Sequence, residues 1–213
     1  MKLKVNEIYY SIQGESCFSG IPCIFIRLTY CNLRCSYCDT EYAFYDGIDM
    51  SISKIITEVK KYNCNLVEIT GGEPLLQENC IELIKELERM NKKVLIETGG
   101  ALSIKNISKK THIILDIKCP SSNMSDKNLW DNFNYIKKSD EIKFVIGNKK
   151  DYAWTKNIIS KYQLNKKCFI LISPVHDRIK EKKIVEWILA DNLNVRFQIQ
   201  LHKQIWDKSA TGV

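Results

Sequence analysis

The segment "LVEITGGEPLLQENCIELIKELERMNKKVLIET" spans residues 66–98 and holds two short apolar runs with a helical pattern between them. The runs at 66–70 and 93–98 are too short for helices, and their continuous apolar character predicts buried strands. Between them, apolar side chains recur on one helical face over residues 80–90, which predicts an amphipathic helix. A strand, a helix and a second strand in this order predict a βαβ unit with parallel strands.

The same alternation runs through most of the chain and predicts the fold class. Further strands are predicted at 23–30, 112–118, 141–147, 168–173 and 194–200. Further helices are predicted at 51–62, 126–137, 151–163 and 179–190, with Ser51 as the N-cap of the first. Buried strands that alternate with helices form a parallel sheet covered by helices. Because the units fall short of a full eight-fold barrel, we expect an α/β fold with a partial, open parallel β/α barrel of six or seven strands.

The composition is that of a globular protein, and it narrows the range of partners. No Gly/Ser-rich or Pro-rich linker interrupts the chain, so we expect a single domain over residues 1–213. No apolar run approaches the roughly 18 residues of a membrane helix, and the N-terminus lacks the apolar core of a signal peptide. We therefore expect a cytoplasmic protein without a membrane partner. The net charge of +7 is spread over scattered lysines instead of one basic face, so no nucleic-acid partner is predicted.

Three of the nine cysteines follow the predicted strand at 23–30 as the cluster C-x3-C-x2-C, namely Cys31, Cys35 and Cys38. Ligands bind at the carboxyl ends of the strands in parallel α/β folds, so this is a candidate site. Thiolates are the protein ligands of zinc and of iron–sulfur clusters. A cubane cluster has four irons, and three thiolates would leave one iron open for another ligand.

Two alternatives use a fourth protein ligand. A zinc site could take Cys17, Cys23, Cys119 or a histidine, although zinc sites usually show a second cysteine pair, which this sequence lacks. A four-thiolate cluster could be closed by Cys119, whose following proline is typical of the end of a ferredoxin run.

Polar residues also follow the other predicted strands. These segments are "TGGEP" (70–74), "ETGG" (97–100), "DIKCP" (116–120), "SPVH" (173–176) and "QIQLHKQIW" (198–206). Turn chemistry alone explains single glycines and prolines at such places. Their joint occurrence at one rim of the sheet, beside the cysteine cluster, predicts a binding site there.

The spacing C-x3-C-x2-C, with Tyr37 before the last cysteine, resembles the signature of the radical S-adenosylmethionine (SAM) superfamily. "GGEP" at 71–74 resembles that superfamily's second motif. The resemblance implies a [4Fe-4S] cluster on the three cysteines, with SAM bound at the open iron and cleaved to a 5′-deoxyadenosyl radical. It implies SAM contacts from Tyr37, Cys38, Asp39, Gly72, Glu73, Asp116, Ile117, Lys118, Ser173, Pro174, Val175 and His176.

A narrower resemblance covers most of the chain. "IYYSIQGES" (8–16), "SGIPCIFIRLTYCNLRCSYCDT" (19–40), "LHKQIW" (201–206) and the final "GV" are similar to the 7-carboxy-7-deazaguanine synthases of the queuosine pathway. That family converts 6-carboxy-5,6,7,8-tetrahydropterin to 7-carboxy-7-deazaguanine with loss of ammonia, as a magnesium-dependent homodimer with reduced flavodoxin or ferredoxin as electron donor. The terminus "SATGV" departs from the family pattern, in which a basic residue precedes "GV".

This resemblance also implies the remaining site residues. Magnesium is expected at Thr40. Substrate contacts are expected from Ile12, Gln13, Gly14, Glu15, Arg27, Thr70, Gln198, His202 and Val213. Arg27 lies within a buried strand, where a charge requires a partner; the alternative to a substrate carboxylate is an internal salt bridge with Glu7, Glu15 or Glu41.

Two other functions are compatible with the cysteine cluster. One is a radical SAM activase of a glycyl-radical enzyme, which has no evident use for "SIQGE" and Arg27. The other is a metal-binding module without catalysis, which would hold stoichiometric zinc and leave SAM intact.

Overall fold

The computed structural model describes residues 1–207 and 210–213 and places nine strands in one sheet. The strands are β1 (Lys2–Ile12), β2 (Pro22–Leu28), β3 (Ile48–Ser51), β4 (Leu66–Gly71), β5 (Lys93–Thr98), β6 (His112–Ile117), β7 (Glu141–Ile146), β8 (Phe169–Pro174) and β9 (Arg196–Phe197). Their order across the sheet is β3-β1-β2-β4-β5-β6-β7-β8-β9. From β2 to β9 every neighbouring pair is parallel, which confirms the predicted open parallel barrel.

The antiparallel edge was not predicted. β1 pairs with β2 on one side and with β3 on the other, both antiparallel. The predicted last strand at 194–200 is shorter than expected, because the chain leaves the sheet after Phe197 and Leu201 donates its backbone N–H to the carbonyl of Gly14.

Four helices cover one face of the sheet: α1 (Ile52–Val59), α2 (Cys80–Arg89), α3 (Lys149–Lys161) and α4 (Glu181–Ala190). The short α5 (His202–Ile205) lies instead at the cavity on the opposite face. Ser51 caps α1 as predicted, since its side chain accepts the backbone N–H of Lys54. No helix among the described residues is long and apolar enough to span a membrane.

The predicted helix at 126–137 is wrong. Two short 3-10 helices, Ser125–Lys127 and Trp130–Asn134, occupy that segment. The buried Asn132 side chain accepts from the backbone of Ile104 and donates to two carbonyls of the preceding loop. Asparagine side chains that bond backbone groups in this way compete with regular helix formation.

Alternation along the strands separates two environments. Side chains such as Ile26, Ile69 and Phe144 point towards the helices and form the main core. The opposite face points into the barrel. There a small apolar cluster is formed by Cys23, Phe25, Leu66, Leu95 and Ile114. It occupies the amino-terminal part of the strands, so the polar residues that follow on the same face lie nearer the carboxyl ends.

Candidate active site

The site is built on the inner face of the barrel. With a side-chain period of two, the residues that follow the apolar cluster on this face are polar. β2 contributes Arg27, β4 contributes Glu68 and Thr70, β5 contributes Glu97, and β7 contributes Lys143. Together with the loops beyond the strands they line one cavity of about 790 Å³.

Most of the residues predicted from the sequence lie on the wall of this cavity. They are Ile12, Gln13, Gly14, Glu15, Arg27, Cys31, Cys35, Tyr37, Cys38, Asp39, Thr40, Thr70, Gly72, Asp116, Lys118, Ser173, Pro174, Val175, His176, His202 and Val213. Glu73, Ile117 and Gln198 do not line it. The side chain of Ile117 belongs to the main core on the helix side of the sheet.

The cysteine loop, residues 29–40, carries all three predicted cluster ligands along the cavity wall. Its first turn is held by Arg34, whose guanidinium donates to the carbonyls of Cys31 at 2.8 Å and Leu33 at 2.7 Å and stacks on Phe44. The backbone N–H of Cys38 donates to the carbonyl of Cys35. Further along the loop, Ser36 donates to the carbonyls of Ser121 and Ser122. Its own carbonyl accepts from Arg178 at 2.8 Å, so the loop is shaped by its own backbone bonds and by contacts with the neighbouring loops.

The three thiols of the cysteine loop are candidate metal ligands. Burial raises the pKa of the Cys31 thiol and raises that of Cys35 to about 11, so metal binding must displace their protons. All three line the same cavity, where thiolates could hold a metal centre.

The proposed fourth thiols lie elsewhere. Cys119 is fully buried with its sulfur 3.6 Å from the hydroxyl of Thr155, while Cys17 and Cys23 are also absent from the described cavity wall. Among the described cavity-lining residues, the cysteines are the three of the cysteine loop. The donor set thus matches a four-iron cluster with one open iron.

The glycines of "GGEP" allow the carboxyl end of β4 to approach the cysteine loop. A Cβ on Gly72 would lie 2.3 Å from the carbonyl oxygen of Tyr30 and 2.9 Å from the Cβ of Cys31. The next residue, Glu73, donates its backbone N–H to the same carbonyl at 2.7 Å. Only a residue without a side chain leaves room for this contact.

Glu73 is fully buried, and its carboxylate stabilises the turn in which it lies. Its carboxylate accepts the backbone N–H groups of Leu75 at 3.0 Å and Gly99 at 2.7 Å, and the hydroxyl of Thr98. Burial raises its pKa, against the effect of these hydrogen bonds. Its carboxylate therefore ties the turn after β4 to the end of β5, and a direct contact with SAM stays a prediction.

Arg27 forms the internal ion pair that was the alternative to a substrate contact. Its Nε donates to Glu7 at 2.7 Å and a terminal nitrogen donates to the hydroxyl of Tyr9 at 3.0 Å. The rings of Tyr9 and Tyr42 lie against the guanidinium. Arg27 still lines the cavity, so Glu7 orients a guanidinium that faces the interior.

A group of charges lies inside the barrel, which we call the carboxylate cluster and define as Glu15, Glu68, Glu97 and Lys143. Of these, sequence reasoning predicted Glu15 and missed Glu68, Glu97 and Lys143. Lys143 Nζ lies 2.6 Å from Glu15 and 2.7 Å from Glu97. Glu68 accepts from the side-chain amide of Gln13. Arg27 was predicted as a site residue because it is a charged residue inside an apolar strand. Glu68 in "LVEIT" and Lys143 in "EIKFVIG" are charged residues of the same kind, so the same argument could have found them.

Neighbouring acids of the carboxylate cluster differ in the direction in which their pKa values are shifted. Burial raises the pKa of Glu68 well above its ordinary value, with the charge of Glu97 adding to the effect. Burial also raises the pKa of Glu97, opposed by Lys143. At Glu15 burial acts in the same direction, but the charge and hydrogen bond of Lys143 outweigh it and lower the pKa. Neighbouring carboxyl groups that face one cavity thus have pKa values shifted in opposite directions.

The carboxy-terminal segment packs onto both the cysteine loop and the "SIQGE" turn. Lys203 lies 2.6 Å from Asp39, and the Gln200 amide donates to Asp39 and Glu15. A Cβ on Gly14 would lie 2.2 Å from the His202 ring, so glycine is needed for this contact. Of the departing "SATGV" segment (209–213), the first residue lies outside the described residues, whereas Val213 lies on the cavity wall.

Comparison with known proteins gives the family. The profile of the radical SAM superfamily matches residues 25–188. A 7-carboxy-7-deazaguanine synthase from Chlorobaculum tepidum is 42% identical over 99% of this chain and 97% of its own length. The chain belongs to the 7-carboxy-7-deazaguanine synthase family of the radical SAM superfamily.

Further comparisons agree with that family. Synthases of the same name from Koribacter versatilis and Clostridium acetobutylicum are 41% and 38% identical, over 99% and 100% of this chain and 100% of each relative. The crystal structure of QueE from Escherichia coli has a TM-score of 0.80 at 24% identity and covers 95% of both chains. TYW1 with a lysine-pyruvate adduct bound has a TM-score of 0.58 at 14% identity, covering 83% of this chain and 74% of its own. These two structures share the fold.

Family membership confirms the predicted radical SAM relationship. Radical SAM proteins use a [4Fe-4S] cluster and SAM, and the three-thiol cavity described above has the donor set for such a cluster.

Proposed function

We propose that this chain catalyses the ring contraction of 6-carboxy-5,6,7,8-tetrahydropterin to 7-carboxy-7-deazaguanine with loss of ammonia, as a carbon–nitrogen lyase of the queuosine pathway. The single observation that carries the proposal is the shared cavity, in which the three cysteines and Arg27 line one volume of about 790 Å³. That volume is in the range of small-molecule sites. A hydrogen transfer between two ligands requires them to be in contact, so both must occupy one cavity.

The chain's first task is to hold the cofactors. When bound, the cluster supplies the electron that cleaves SAM to methionine and a 5′-deoxyadenosyl radical. We assign the cluster to Cys31, Cys35 and Cys38. We assign SAM to the cavity-lining residues Tyr37, Cys38, Asp39, Gly72, Asp116, Lys118, Ser173, Pro174, Val175 and His176, with Glu73 and Ile117 as supports behind the wall.

The chain's second task is to orient the substrate. We assign the substrate carboxylate to Arg27, because Glu7 fixes the guanidinium and a planar fork suits a carboxylate. We assign Mg²⁺ to Thr40, a hard oxygen donor on the cavity wall. The bicyclic ring is assigned to Ile12, Gln13, Gly14, Glu15, Thr70, Gln198, His202 and Val213.

Gln198 supports this assignment although it does not line the cavity. Its amide is buried, and neither its nitrogen nor its oxygen has a hydrogen-bond partner in the described part of the chain. A buried amide without partners is costly, and a ring-binding role would supply them. The proposal further includes residues 1–213 as one domain, a homodimer, and reduced flavodoxin or ferredoxin as the electron donor.

The test is an anaerobic product assay. The reconstituted protein is incubated with the carboxytetrahydropterin, SAM, Mg²⁺ and either reduced flavodoxin or reduced ferredoxin, and products are identified by mass spectrometry. We expect 7-carboxy-7-deazaguanine, with little product when Mg²⁺ is omitted. A fully iron-loaded protein that cleaves SAM yet yields no deazaguanine would overturn the proposal.

Two cysteine variants make the matched control. Cys35→Ser removes a proposed cluster ligand and should abolish both iron loading and product. Cys64→Ser changes a half-buried thiol that hydrogen-bonds the carbonyl of Pro22 outside the cavity, and it should retain both. Sedimentation analysis of the same preparations measures the proposed dimer.

A further inference from the structure

Lys143 lies in the deepest charged part of the cavity and has no part in the assignments above. Its side chain is 7% exposed, and its Nζ bridges Glu15 and Glu97. β7 supplies the lysine, β5 supplies Glu97, and the loop after β1 supplies Glu15. One ammonium group on β7 therefore joins carboxylates from two other elements.

The charges around this lysine do not balance within the carboxylate cluster. Lys143 is the one cation of that cluster, against three carboxyl groups. The charged and titratable groups that face its members are Arg27, Tyr9 and Cys23 towards Glu68, Asp116 towards Glu97 and Lys143, Lys118 towards Lys143, and Asp39 and His202 towards Glu15. Lys118 is itself paired with Asp116 at 2.9 Å. An excess of buried carboxyl groups at a cavity wall is costly unless a ligand with N–H donors meets them.

The unused oxygen of Glu97 points to the chemistry of that ligand. Among the described residues Glu97 has Lys143 as its hydrogen-bond partner, through Oε1, so Oε2 remains for a ligand. Carboxylates accept N–H pairs from planar amidine groups in a bidentate manner. A pterin carries such a group in its 2-amino-pyrimidine ring, with the carboxylate at the far end of the molecule.

We propose that Lys143 is a positioning residue that holds the carboxylates of Glu15 and Glu97 to accept the N–H groups of the substrate's 2-amino-pyrimidine edge. The inference rests on the proposed function, because it names the part of that substrate that the cluster recognises. Arg27 holds the carboxylate end, so the two charged groups define the long axis of the bound ring. Glu97 is then a direct substrate contact, and Lys143 acts through it.

The test compares two ligands that differ at this edge. 6-Carboxypterin carries the 2-amino group, while 6-carboxylumazine has an oxygen in its place, and both fluoresce. Their dissociation constants are measured by fluorescence on the SAM-loaded holoenzyme for wild type, Lys143→Met, Lys143→Arg and Glu97→Gln. Lys150→Met, an exposed lysine in the first turn of α3, is the matched control.

We expect wild type and Lys150→Met to bind the pterin about 10- to 100-fold more tightly than the lumazine, the usual effect of losing a hydrogen bond to a charged group. Lys143→Met and Glu97→Gln should bring this ratio close to one, and Lys143→Arg should restore part of it. In turnover, Lys143→Met should raise KM more than it lowers kcat. Because the ammonium lowers the pKa of both carboxyl groups, its removal should move the acid limb of pterin affinity to higher pH.

The outcomes separate this inference from the proposed function. If wild type turns over the tetrahydropterin but shows no pterin preference, the inference is wrong and the function stands. If Lys143→Met and Glu97→Gln weaken both ligands equally, Lys143 has a structural role only. If Lys143→Met does not fold, the isosteric Glu97→Gln variant tests the inference instead, through the ratio of its dissociation constants for the lumazine and the pterin. Failure of wild type to bind or convert the pterin would reject the function and the inference together.

Discussion

Replacing Gly72 by alanine tests the contact between the cysteine loop and the end of β4. The added Cβ would lie 2.3 Å from the Tyr30 carbonyl oxygen and 2.9 Å from the Cβ of Cys31, where ordinary contacts begin at 3.4 Å. The carbonyl cannot turn away, because it accepts the N–H of Glu73 at 2.7 Å. The N–H of Tyr30 is also fixed, by the carbonyl of Ala43 at 3.0 Å. The loop must therefore move as a unit.

The required movement is about 1 Å, the difference between an ordinary contact and the distance at Gly72. Overpacking of this kind costs about 1–3 kcal/mol in free energy of unfolding. For a chain of this size that corresponds to a fall of about 2–12 °C in Tm. Metal–ligand distances tolerate only about ±0.2 Å, so the displacement of Cys31 should reduce iron binding more severely than it reduces stability.

Two measurements on Gly72→Ala follow. Thermal unfolding of the iron-free protein by circular dichroism reports the cost to the fold, and iron and sulfide content after anaerobic reconstitution reports the cluster. Gly20→Ala is the control, because Gly20 has φ +87° but no atom within 4 Å of its added Cβ. It should lose stability through backbone strain of about 1–2 kcal/mol and keep its iron.

Wild-type iron content in Gly72→Ala, with an unchanged Tm, would show that the loop can relax without disturbing its ligands. The steric account of Gly72 would then be wrong. Equal iron loss in Gly20→Ala would show that iron binding follows global stability instead of the position of Cys31.

Three further outcomes are expected. Arg34→Met removes the donor to two carbonyls of the cysteine loop, so iron should be lost faster to a chelator, with Arg34→Lys intermediate; equal loss rates would contradict this. Glu7→Gln weakens the hold on Arg27 and should raise the KM of the carboxylated substrate about tenfold with little change in kcat; a kcat effect alone would reject the orienting role. At Asp39 burial opposes ionisation, but Lys203 outweighs it and lowers the pKa below the unfolded value. The stabilisation by that pair is therefore present above about pH 4 and lost as pH falls. Lys203→Met should differ most from wild type in urea unfolding at neutral pH, and the difference should shrink progressively as the pH falls below about 4; a difference that stays constant would exclude the linkage.

The strands that could be predicted are those buried on both faces. β4, β5, β6 and β8 are continuous apolar runs, and each lies within a residue of its predicted bounds. β1 was missed because its "EIYYSI" part (7–12) carries exposed and half-buried residues instead of a buried apolar run. β1 is paired on both sides, but it is antiparallel to both neighbours, and antiparallel strands need not be buried on both faces, so its sequence lacks the continuous apolar run of a buried parallel strand.

The residues of the candidate site also differ in whether the sequence could predict them. Loop motifs with fixed spacing, such as the cysteines, could be found because local sequence determines their proximity. The ion pairs of Lys143 could not, because its partners lie in β5 and in the loop after β1. Alternation predicts that Lys143 faces the barrel interior, but its partners depend on how the barrel curves, which no local pattern encodes.

The structure places one amide between the two halves of the cavity. Gln200 Nε2 donates to Glu15 at 3.0 Å and to Asp39 at 3.1 Å, and an amide nitrogen has two hydrogens, one for each carboxylate. Glu15 belongs to the carboxylate cluster and Asp39 directly follows Cys38 of the cysteine loop. The carboxy-terminal segment therefore links these two regions, through Gln200 and through the Lys203 contact with Asp39. Because a hydrogen transfer depends steeply on the distance between the reacting groups, this segment contributes to the geometry of the reaction as well as to closing the barrel.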